Sequence, residues 1–306
     1  MKLQKRTPFD WEDLRLFLET TRHSTLAEAA ARLRIDPTTL GRRLKRFEQE
    51  IGTNLFERAQ QGLRLTPTGQ RLASYVEQME DSSLQALEAI KGVGGHLRGT
   101  VRISTAEGFG AYIVAPALAE FVRLHPGIDI DLVASSGFLS VSKREADIAI
   151  LLARPTTGRL FAQKLGNYAL MLYASRRYLR TAPEIRTVQD LQKHRLVGYV
   201  DDLIYSPKLR YLDELPVALS PSIKSSSIIG QYQAVKAGAG LCVLPCFLAD
   251  QDKSLVRVLP GEIRIERAFW LAVHEDIRSF ARVKAVLDFL VATAQAKHEL
   301  LMGRTG

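Results

Sequence analysis

Cysteine is scarce in this chain, which has two among 306 residues. Two cysteines provide neither a disulfide framework nor the ligands of a four-cysteine zinc site. No run approaches the ~18 consecutive apolar residues of a membrane span, and residues 1–17 carry charges where a secretory signal has an apolar core. We therefore expect a protein of the reducing cytoplasm, without disulfides and without a membrane partner.

Catalytic motifs are also missing. The six histidines are scattered singly, without the spacing of metal ligands. No Walker loop, nucleophile elbow or dinucleotide-binding glycine pattern occurs, and the glycines of residues 92–95 are not followed by the Lys-Ser/Thr of a phosphate-binding loop. The sequence thus predicts no enzyme, no metal site and no cofactor.

Positive charge is in excess. Lys and Arg number 42 against 33 Asp and Glu, a net charge of +9, which favours a polyanionic partner such as nucleic acid. The length predicts two or three domains. Basic residues are densest in residues 32–46, where Asp36 is the single acidic residue.

The N-terminal residues have the period of amphipathic helices. The stripe of the first helix is Leu14, Phe17 and Leu18. Ser24 is predicted to cap a second helix with a small-residue interior. A third helix is predicted to begin with Asp36 as N-cap and Pro37 at its first position, and to end at Gly52. Its buried stripe is Leu40, Leu44, Phe47 and Ile51.

Such a pair of helices with a tight turn is typical of a helix-turn-helix, whose second helix meets base edges with its N-terminal residues. Residues 55–58 and 63–66 flank a turn and predict a hairpin, hence a wing whose arginines are placed for phosphates. The alternative is a generic three-helix packing unit. The predicted DNA contacts are Arg34, Thr38, Thr39, Arg42, Arg43, Arg46, Arg58 and Arg64.

A long amphipathic helix is predicted after the wing, with Thr66 as N-cap and Pro67 at its first position. Its apolar residues recur about every 3.5 positions. One helix between domains cannot bury such a face alone, so pairing with a second copy is favoured, and packing on its own chain is the alternative. The predicted dimerisation contacts are Leu72, Val76, Met79 and Ile90. Residues 92–95 predict a hinge.

From Gly99 onward, strands and helices alternate, which predicts a mostly parallel α/β sheet. Strands are predicted at residues 100–104, 128–134, 147–152, 195–200, 240–245 and 269–273. Helices are predicted at residues 112–124, 227–236 and 279–296, with a helix or turn at 137–145.

Several stretches match a known family in order. They are LAEAAARL (26–33), IDPTTLGRRL (35–44), FE (47–48), Gly52, LFER (55–58) and LTPTG (65–69). Through them the chain resembles the LysR-type transcriptional regulators. The family usually has Ser-Gln where this chain has Asp36 and Pro37, and Ser at Gly41. Because Gln reads adenine and Pro has no side-chain donor, base readout is expected to shift to the threonines and arginines that follow.

Weaker matches at residues 97–99, 125–126, 146–150 and 237–241 extend the resemblance. It implies an α/β fold: an N-terminal winged helix-turn-helix, a linker helix and a two-lobed α/β effector domain resembling periplasmic solute-binding proteins. The implied domains are residues 1–66, 67–95 and 96–306, with lobe I about 96–165 and 268–300 and lobe II about 166–267. Crossing strands near residues 164–168 and 265–269 would join the lobes.

A ligand between lobes would lie beyond the carboxyl ends of strands, at helix N-termini. Hydroxyl groups and helix N-termini there suit a small carboxylate or a similar polar acceptor, and the excess of positive charge in this region fits an anionic effector. Ordinary capping or solvation is the alternative for any single serine. The predicted effector contacts are Ser104, Thr105, Ser135, Ser136, Tyr199, Asp201, Ser225 and Ser226, with Ala106 and Ser227 beside them.

Cys242 and Cys246 stand in an apolar setting without a neighbouring base, which favours buried structural thiols over a redox switch. The sequence as a whole predicts a cytoplasmic regulator that binds double-stranded DNA as a homodimer or homotetramer under the control of a small molecule. RNA polymerase is a further candidate partner. The alternatives are an α/β protein whose N-terminal helices dock another protein, and a non-specific DNA binder.

Overall fold

The computed structural model describes residues 10–23, 25–59, 62–91, 97–135, 137, 141 and 145–304. The chain folds into two compact units, residues 1–95 and 96–306. Among the described helices, none combines the length and the apolar character that crossing a membrane requires. The predicted hinge at residues 92–95 lies outside the described residues.

The first unit is a winged helix-turn-helix followed by a long helix. Its elements are α1 (Trp11–Thr21), α2 (Leu26–Leu33), α3 (Pro37–Ile51), β1 (Phe56–Ala59), β2 (Gly62–Leu65) and α4 (Pro67–Lys91). The strands β1 and β2 pair antiparallel as the predicted hairpin. The predicted apolar stripes of α1 and α3 meet in one core under the wing.

Capping sets the ends of these helices. The side-chain Oγ1 of Thr25 accepts a hydrogen bond from the Glu28 amide at 3.2 Å, and the Glu28 carboxylate accepts one from the Thr25 amide at 3.3 Å. The predicted cap at Ser24 is therefore wrong by one residue, because a capping box places its acidic residue three positions after the cap. Gly52 ends α3 as predicted, with a left-handed φ of 71°.

The first half of α4 packs against the other helices of its own unit. Val76 is 4% exposed, and Leu72 and Met79 are partly buried against the same core. At these three positions the helix contacts the core of its own unit, and the predicted contact with a second copy stays a prediction. The side chain of Ile90 lies outside the described residues.

The second unit is a two-lobed α/β domain. Its strands are β3 (Gly99–Ala106), β4 (Ile128–Ser135), β5 (Ile148–Leu151), β6 (Leu160–Ser175), β7 (Val197–Gly198), β8 (Ile223–Lys224), β9 (Leu241–Pro245), β10 (Leu255–Val258) and β11 (Arg264–His274). Its helices are α5 (Glu107–Phe109), α6 (Ala115–Leu124), α7 (Arg176–Leu179), α8 (Ile228–Lys236), α9 (Cys246–Ala249), α10 (Ala281–Ala296) and α11 (His298–Leu301). A π-helical turn, Gly110–Val114, joins α5 to α6, and 3₁₀ turns lie within residues 188–214.

Strands β6 and β11 run through both lobes as an antiparallel pair. Their register shifts between Phe269 and Trp270, where Leu165 is an extra residue on β6. On one side of this bulge β11 pairs with β5, which continues to β3 and β4. On the other side β6 pairs with β9 and β10. The structure thus has crossing strands where the sequence predicts them, near residues 164–168 and 265–269.

Two details differ from the sequence predictions. The sheet is mixed, because β3, β4 and β5 are parallel while the crossing strands and their partners β9 and β10 are antiparallel. The helix predicted to begin at Tyr112 begins at Glu107, directly after β3, because the π-helical turn continues the first turn into α6. The segment at residues 137–145 lies mostly outside the described residues.

Gly240, just before β9, is expected to tolerate no side chain. Its φ is 153°, and an added Cβ would lie 2.2 Å from the carbonyl oxygen of Arg195. We expect Gly240→Ala to lower the free energy of unfolding of the second unit by about 2 kcal/mol or more. Urea unfolding of the full chain measures this. The control is Gly261→Ala, because an added Cβ there meets nothing within 4 Å; equal midpoints for the two variants would contradict the prediction.

Candidate DNA interface and ligand cleft

The N-terminal end of α3 is exposed and capped by its own chain. The Oδ1 atom of Asp36 accepts hydrogen bonds from the amides of Thr38 and Thr39 at 2.9 and 3.1 Å. The bond from the Thr39 amide, together with those from Thr38, lowers the pKa of the Asp36 carboxyl. Asp36 is therefore ionised at neutral pH. The exposed Thr38 and the half-buried Thr39 stand beside it at the start of the helix.

Two of the predicted DNA contacts bind a buried carboxylate of α1. Asp13 is 2% exposed, and its carboxylate accepts hydrogen bonds from Arg43 Nη2 at 3.2 Å and Arg46 Nη2 at 3.3 Å. Arg46 Nε also lies 3.4 Å from Glu50 Oε1. These arginines connect α3 to α1, since both guanidinium groups are held by the same buried carboxylate. The sequence feature that could have indicated this pairing is the acidic residue at position 13, next to Leu14 of the apolar stripe of α1.

The remaining predicted contacts keep their side chains at the surface. Arg42 is exposed and makes no ion pair within the described part of the chain. Arg34 is exposed at the turn between the two helices, with a left-handed φ of 56°. On the wing, Arg64 is 73% exposed, and the side chain of Arg58 lies outside the described residues. Of the arginines of α3, Arg42 is thus the one whose side chain is exposed and has no such partner.

A narrow cleft lies between the lobes of the second unit, above the crossing strands. Aromatic side chains dominate its wall. They are Phe109, Tyr168, Tyr199, Tyr205, Tyr211, Phe247 and Phe269. The rings of Tyr168 and Phe269 are stacked, with centroids 4.2 Å apart and planes at 16°. A concave wall of aromatic side chains with a few polar groups is the kind of lining that small-molecule sites have.

Among the described residues that line this cleft, Glu107 is the one acidic side chain and none is a lysine or an arginine. Burial, together with the Glu107 carboxylate nearby, raises the pKa of Tyr205 to about 12. Burial also raises the pKa of Tyr168, Tyr199 and Tyr211 above the ordinary range. The four hydroxyl groups are therefore neutral, and Glu107 is the acidic group beside them.

A hydrogen bond between the side chains of Ser227 and Glu107 connects the two lobes. The Oγ atom of Ser227, the N-cap of α8, donates to Glu107 Oε1 at 2.9 Å and accepts from the amide of Gly230 at 2.9 Å. The other carboxylate oxygen, Glu107 Oε2, is buried and has no hydrogen-bond partner within the described residues. A carboxylate of the chain itself thus lies at the N-terminal end of α8, where the helix dipole favours an anion.

Three of the predicted effector contacts, Ser104, Thr105 and Ser135, lie on β3 or β4 and do not line this cleft. Ser104 and Thr105 are fully buried in β3, because the helix that begins at Glu107 covers the end of the strand. The hydroxyl of Ser135 donates to the carbonyl oxygen of Gly137. Ser136 lies outside the described residues.

The other predicted effector contacts lie in lobe II. Tyr199 and Ser226 line the cleft. Ser225 instead bonds the backbone of Ser227, as capping residues do. Asp201 lines an adjoining cavity of about 180 Å³ in lobe II, which shares Tyr199 and Tyr211 with the cleft, and pairs there with Lys224 at 2.5 Å. The structure therefore brings two of the eight predicted residues into the cleft.

The sequence reasoning missed Glu107 and three of the cleft tyrosines. Glu107 directly follows the last residue of β3. The sequence analysis began the next helix at residue 112, and a start five residues earlier would have placed Glu107 at the end of the strand. Tyr168, Tyr205 and Tyr211 lie on a crossing strand and in irregular segments. No local signal marks them as neighbours, since only the tertiary fold brings them together.

Both cysteines are free and buried. Burial raises the pKa of the Cys242 and Cys246 thiols, so both are protonated and weakly nucleophilic. Within the described residues no group of three or more His, Cys, Asp or Glu side chains could hold a metal ion.

Two family models match the chain. The LysR substrate binding domain matches residues 94–295, and the bacterial regulatory helix-turn-helix protein, lysR family, matches residues 11–70. The chain belongs to the LysR family. It is a LysR-type DNA-binding transcriptional regulator with an effector-binding domain, as the sequence predicts. The members of this family are transcriptional regulators and not enzymes.

Relatives of this LysR-type regulator match it over nearly its whole length. The regulator PtxR of Pseudomonas aeruginosa is 24% identical over 94% of each chain. The glycine cleavage system transcriptional activator of Escherichia coli is 25% identical over 97% of each chain. The structure of CrgA, a LysR-type transcriptional regulator from Neisseria meningitidis, aligns with a TM-score of 0.58 at 24% identity, over 93% of this chain and 98% of that chain. The predicted fold class is thereby confirmed.

The Asp13 cluster is expected to stabilise the first unit. We expect Asp13→Asn to lower the free energy of unfolding by about 1–3 kcal/mol, because a neutral amide cannot pair with two guanidinium groups. The control is Glu50→Gln, which removes only the exposed partner of Arg46 and should cost less than about 0.5 kcal/mol. Urea unfolding followed by circular dichroism compares the two. Unchanged stability of Asp13→Asn would show that the cluster is not structural.

Proposed function

We propose that this LysR-type regulator reads its operator with the exposed N-terminal half of α3, chiefly through Arg42. The observation that supports this is a difference among the arginines of α3 in exposure and ion pairing. Arg43 and Arg46 are bound to Asp13, whereas Arg42 is exposed without an ion pair in the described residues. An exposed guanidinium in the major groove pairs bidentately with guanine.

The base preference at this position follows from the residues at the start of the helix. Pro37 has no donor for adenine, so we expect guanine in each half-site. Thr38 and Thr39 are proposed as further base-edge contacts. Phosphate contacts are proposed for Arg34 and for the wing arginines, Arg58 and Arg64, because contacts to the DNA backbone fix the register of the protein.

The proposed effector site is the aromatic cleft. Its wall combines Glu107 and Phe109 of one lobe with Tyr199 and Ser226 of the other. A ligand that contacts both walls binds one lobe angle more tightly than another, and such differential affinity shifts the conformational equilibrium. By the family resemblance, the shift would change the contacts between dimers and thereby the bending of the operator.

We further propose a homodimer or homotetramer, because two recognition helices match a two-fold operator. The second half of α4 is the proposed dimer contact, since the first half is covered by its own unit. RNA polymerase is a proposed partner at the promoter, and the cytoplasm the proposed location. The proposal involves no catalysis and no cofactor, and its single small molecule is the effector.

The Arg42→Ala variant tests DNA readout. A duplex selected by the wild-type protein from a random pool is compared with a random duplex by fluorescence anisotropy at several salt concentrations. We expect roughly 10- to 100-fold weaker binding of the selected duplex, because a bidentate base contact contributes about 1–3 kcal/mol. On the random duplex, the affinity should fall only by as much as the removal of one positive charge lowers it.

The matched control is Arg15→Ala. Arg15 is an exposed arginine of α1 that pairs with Glu12 at 2.8 Å, and its loss should leave both affinities unchanged. If Arg42→Ala binds the selected duplex as tightly as wild type does, other residues read the operator. If the wild-type protein itself does not distinguish the two duplexes, it is a non-specific DNA binder.

A further inference from the structure

The charge of the cleft is opposite to the one that the sequence predicts. Hydroxyl groups at strand ends led to the expectation of an anionic effector. In the structure, the described lining includes no Lys or Arg, and Glu107 is its one acidic side chain. A carboxylate ligand would therefore meet a like charge in a partly desolvated site, where the repulsion is stronger than in water.

The described basic residues of this unit do not line the cleft itself, although Arg210 and Lys224 line the adjoining cavity. Arg177, Lys193 and Arg195 line a shallow pocket on the surface of lobe II. Arg267, which neighbours Tyr168 across the crossing strands, pairs with Glu214. The positive charge that would attract an anionic effector therefore does not line the cleft.

The helix N-terminus that could bind an anion is already occupied. Ser227 caps α8 by accepting from the Gly230 amide, and its hydroxyl donates to Glu107 Oε1. The carboxylate of Glu107 thus takes the place that a carboxylate ligand would take at the positive end of the helix dipole. An anionic ligand would have to displace it.

The second oxygen of this carboxylate lacks a donor. Glu107 Oε2 is buried without a hydrogen-bond partner in the described residues. Because leaving a buried acceptor unpaired is costly, such an atom calls for an explanation. An N–H group of a ligand would satisfy it while Ser227 continues to hold Oε1.

The aromatic wall suits the same kind of ligand. The faces of neutral aromatic rings attract organic cations, most strongly when several rings surround a desolvated site. Phe109 and Phe269 have centroids 4.2 Å apart, and Tyr199 meets Tyr211 edge to face at 6.0 Å. These rings also provide apolar contact for the body of a ligand.

We propose that the cleft binds an organic ammonium ion with an aromatic or similarly apolar body, whose N–H group donates to Glu107 Oε2 while its body packs against Tyr168 and Phe269. This inference rests on the proposed function, because it takes the cleft as the effector site. It replaces the small carboxylate that the sequence predicts with a ligand of the opposite charge.

Three probes of nearly equal shape test the sign of the charge on the full-length protein. They are 2-phenylethylammonium, 2-phenylethanol and 3-phenylpropanoate, measured by isothermal titration calorimetry at neutral pH. We expect the ammonium probe to bind at least about tenfold more tightly than the other two, as a charge-assisted hydrogen bond provides. Undetectable binding of the ammonium probe, or equal or tighter binding of the carboxylate, would overturn the proposal.

The Glu107→Gln variant tests whether the Glu107 carboxylate is the group that binds the ammonium probe. Glutamine keeps the size of the side chain and an oxygen that accepts from Ser227, but it removes the negative charge. We expect the variant to bind the ammonium probe about tenfold more weakly, with little change for the alcohol. The control is Glu120→Gln, the same change on the exposed face of α6, which should leave all three affinities unchanged.

Unchanged binding of the ammonium probe to Glu107→Gln would show that another group binds the cation. If this variant fails to fold, the ranking of the probes on the wild-type protein still decides the proposal. Failure of the proposed function is distinguished by the DNA experiment, because operator selectivity is measured without any probe. A selective DNA binder that prefers 3-phenylpropanoate would refute only the inference about charge.

Discussion

Continuous pairing of β6 with β11 through both lobes is the constraint on which the second unit depends. These strands connect β5 and its neighbours on one side to β9 and β10 on the other, so the lobes cannot separate without breaking a shared ladder. Tyr168 and Phe269 lie on this pair next to the bulge, and their stacked rings line the cleft. A bend in the connection therefore moves the rings that would contact a ligand, which couples the lobe angle to the occupancy of the cleft.

Much of the positive charge is neutralised inside the fold. Asp13 binds Arg43 and Arg46 in the first unit, and Arg257 lies 2.6 Å from Asp250 in the second. Asp13 joins α1 to arginines of α3 that are 30 and 33 positions away, whereas Asp250 and Arg257 are seven positions apart. The net charge of +9 is therefore a weak guide to the DNA interface. The exposure of single guanidinium groups, such as that of Arg42, is a more specific guide.

The features that were predicted correctly from the sequence are those that depend on residues close together in the chain. The cap at Asp36 and the end of α3 at Gly52 depend on contacts within a few positions, and apolar periodicity revealed the helix stripes. Interactions between distant residues could not be predicted. Asp13 meets its arginine 30 positions away, and Glu107 meets Ser227 across 120 positions. Hydroxyls at strand ends were a poor guide to the cleft, because the start of a helix covers some of them and capping engages others.

The bulge at Leu165 has a consequence for how such a binding site diversifies. Side chains alternate between the faces of a strand, so a one-residue deletion or insertion between the bulge and Tyr168 would turn that ring to the opposite face. Substitution at a lining position leaves the ladder intact. We therefore expect ligand preference to change through substitution of single lining side chains. The lengths of the crossing strands are expected to stay constant. Insertions are expected to be tolerated in those surface loops that carry no lining residue of the cleft.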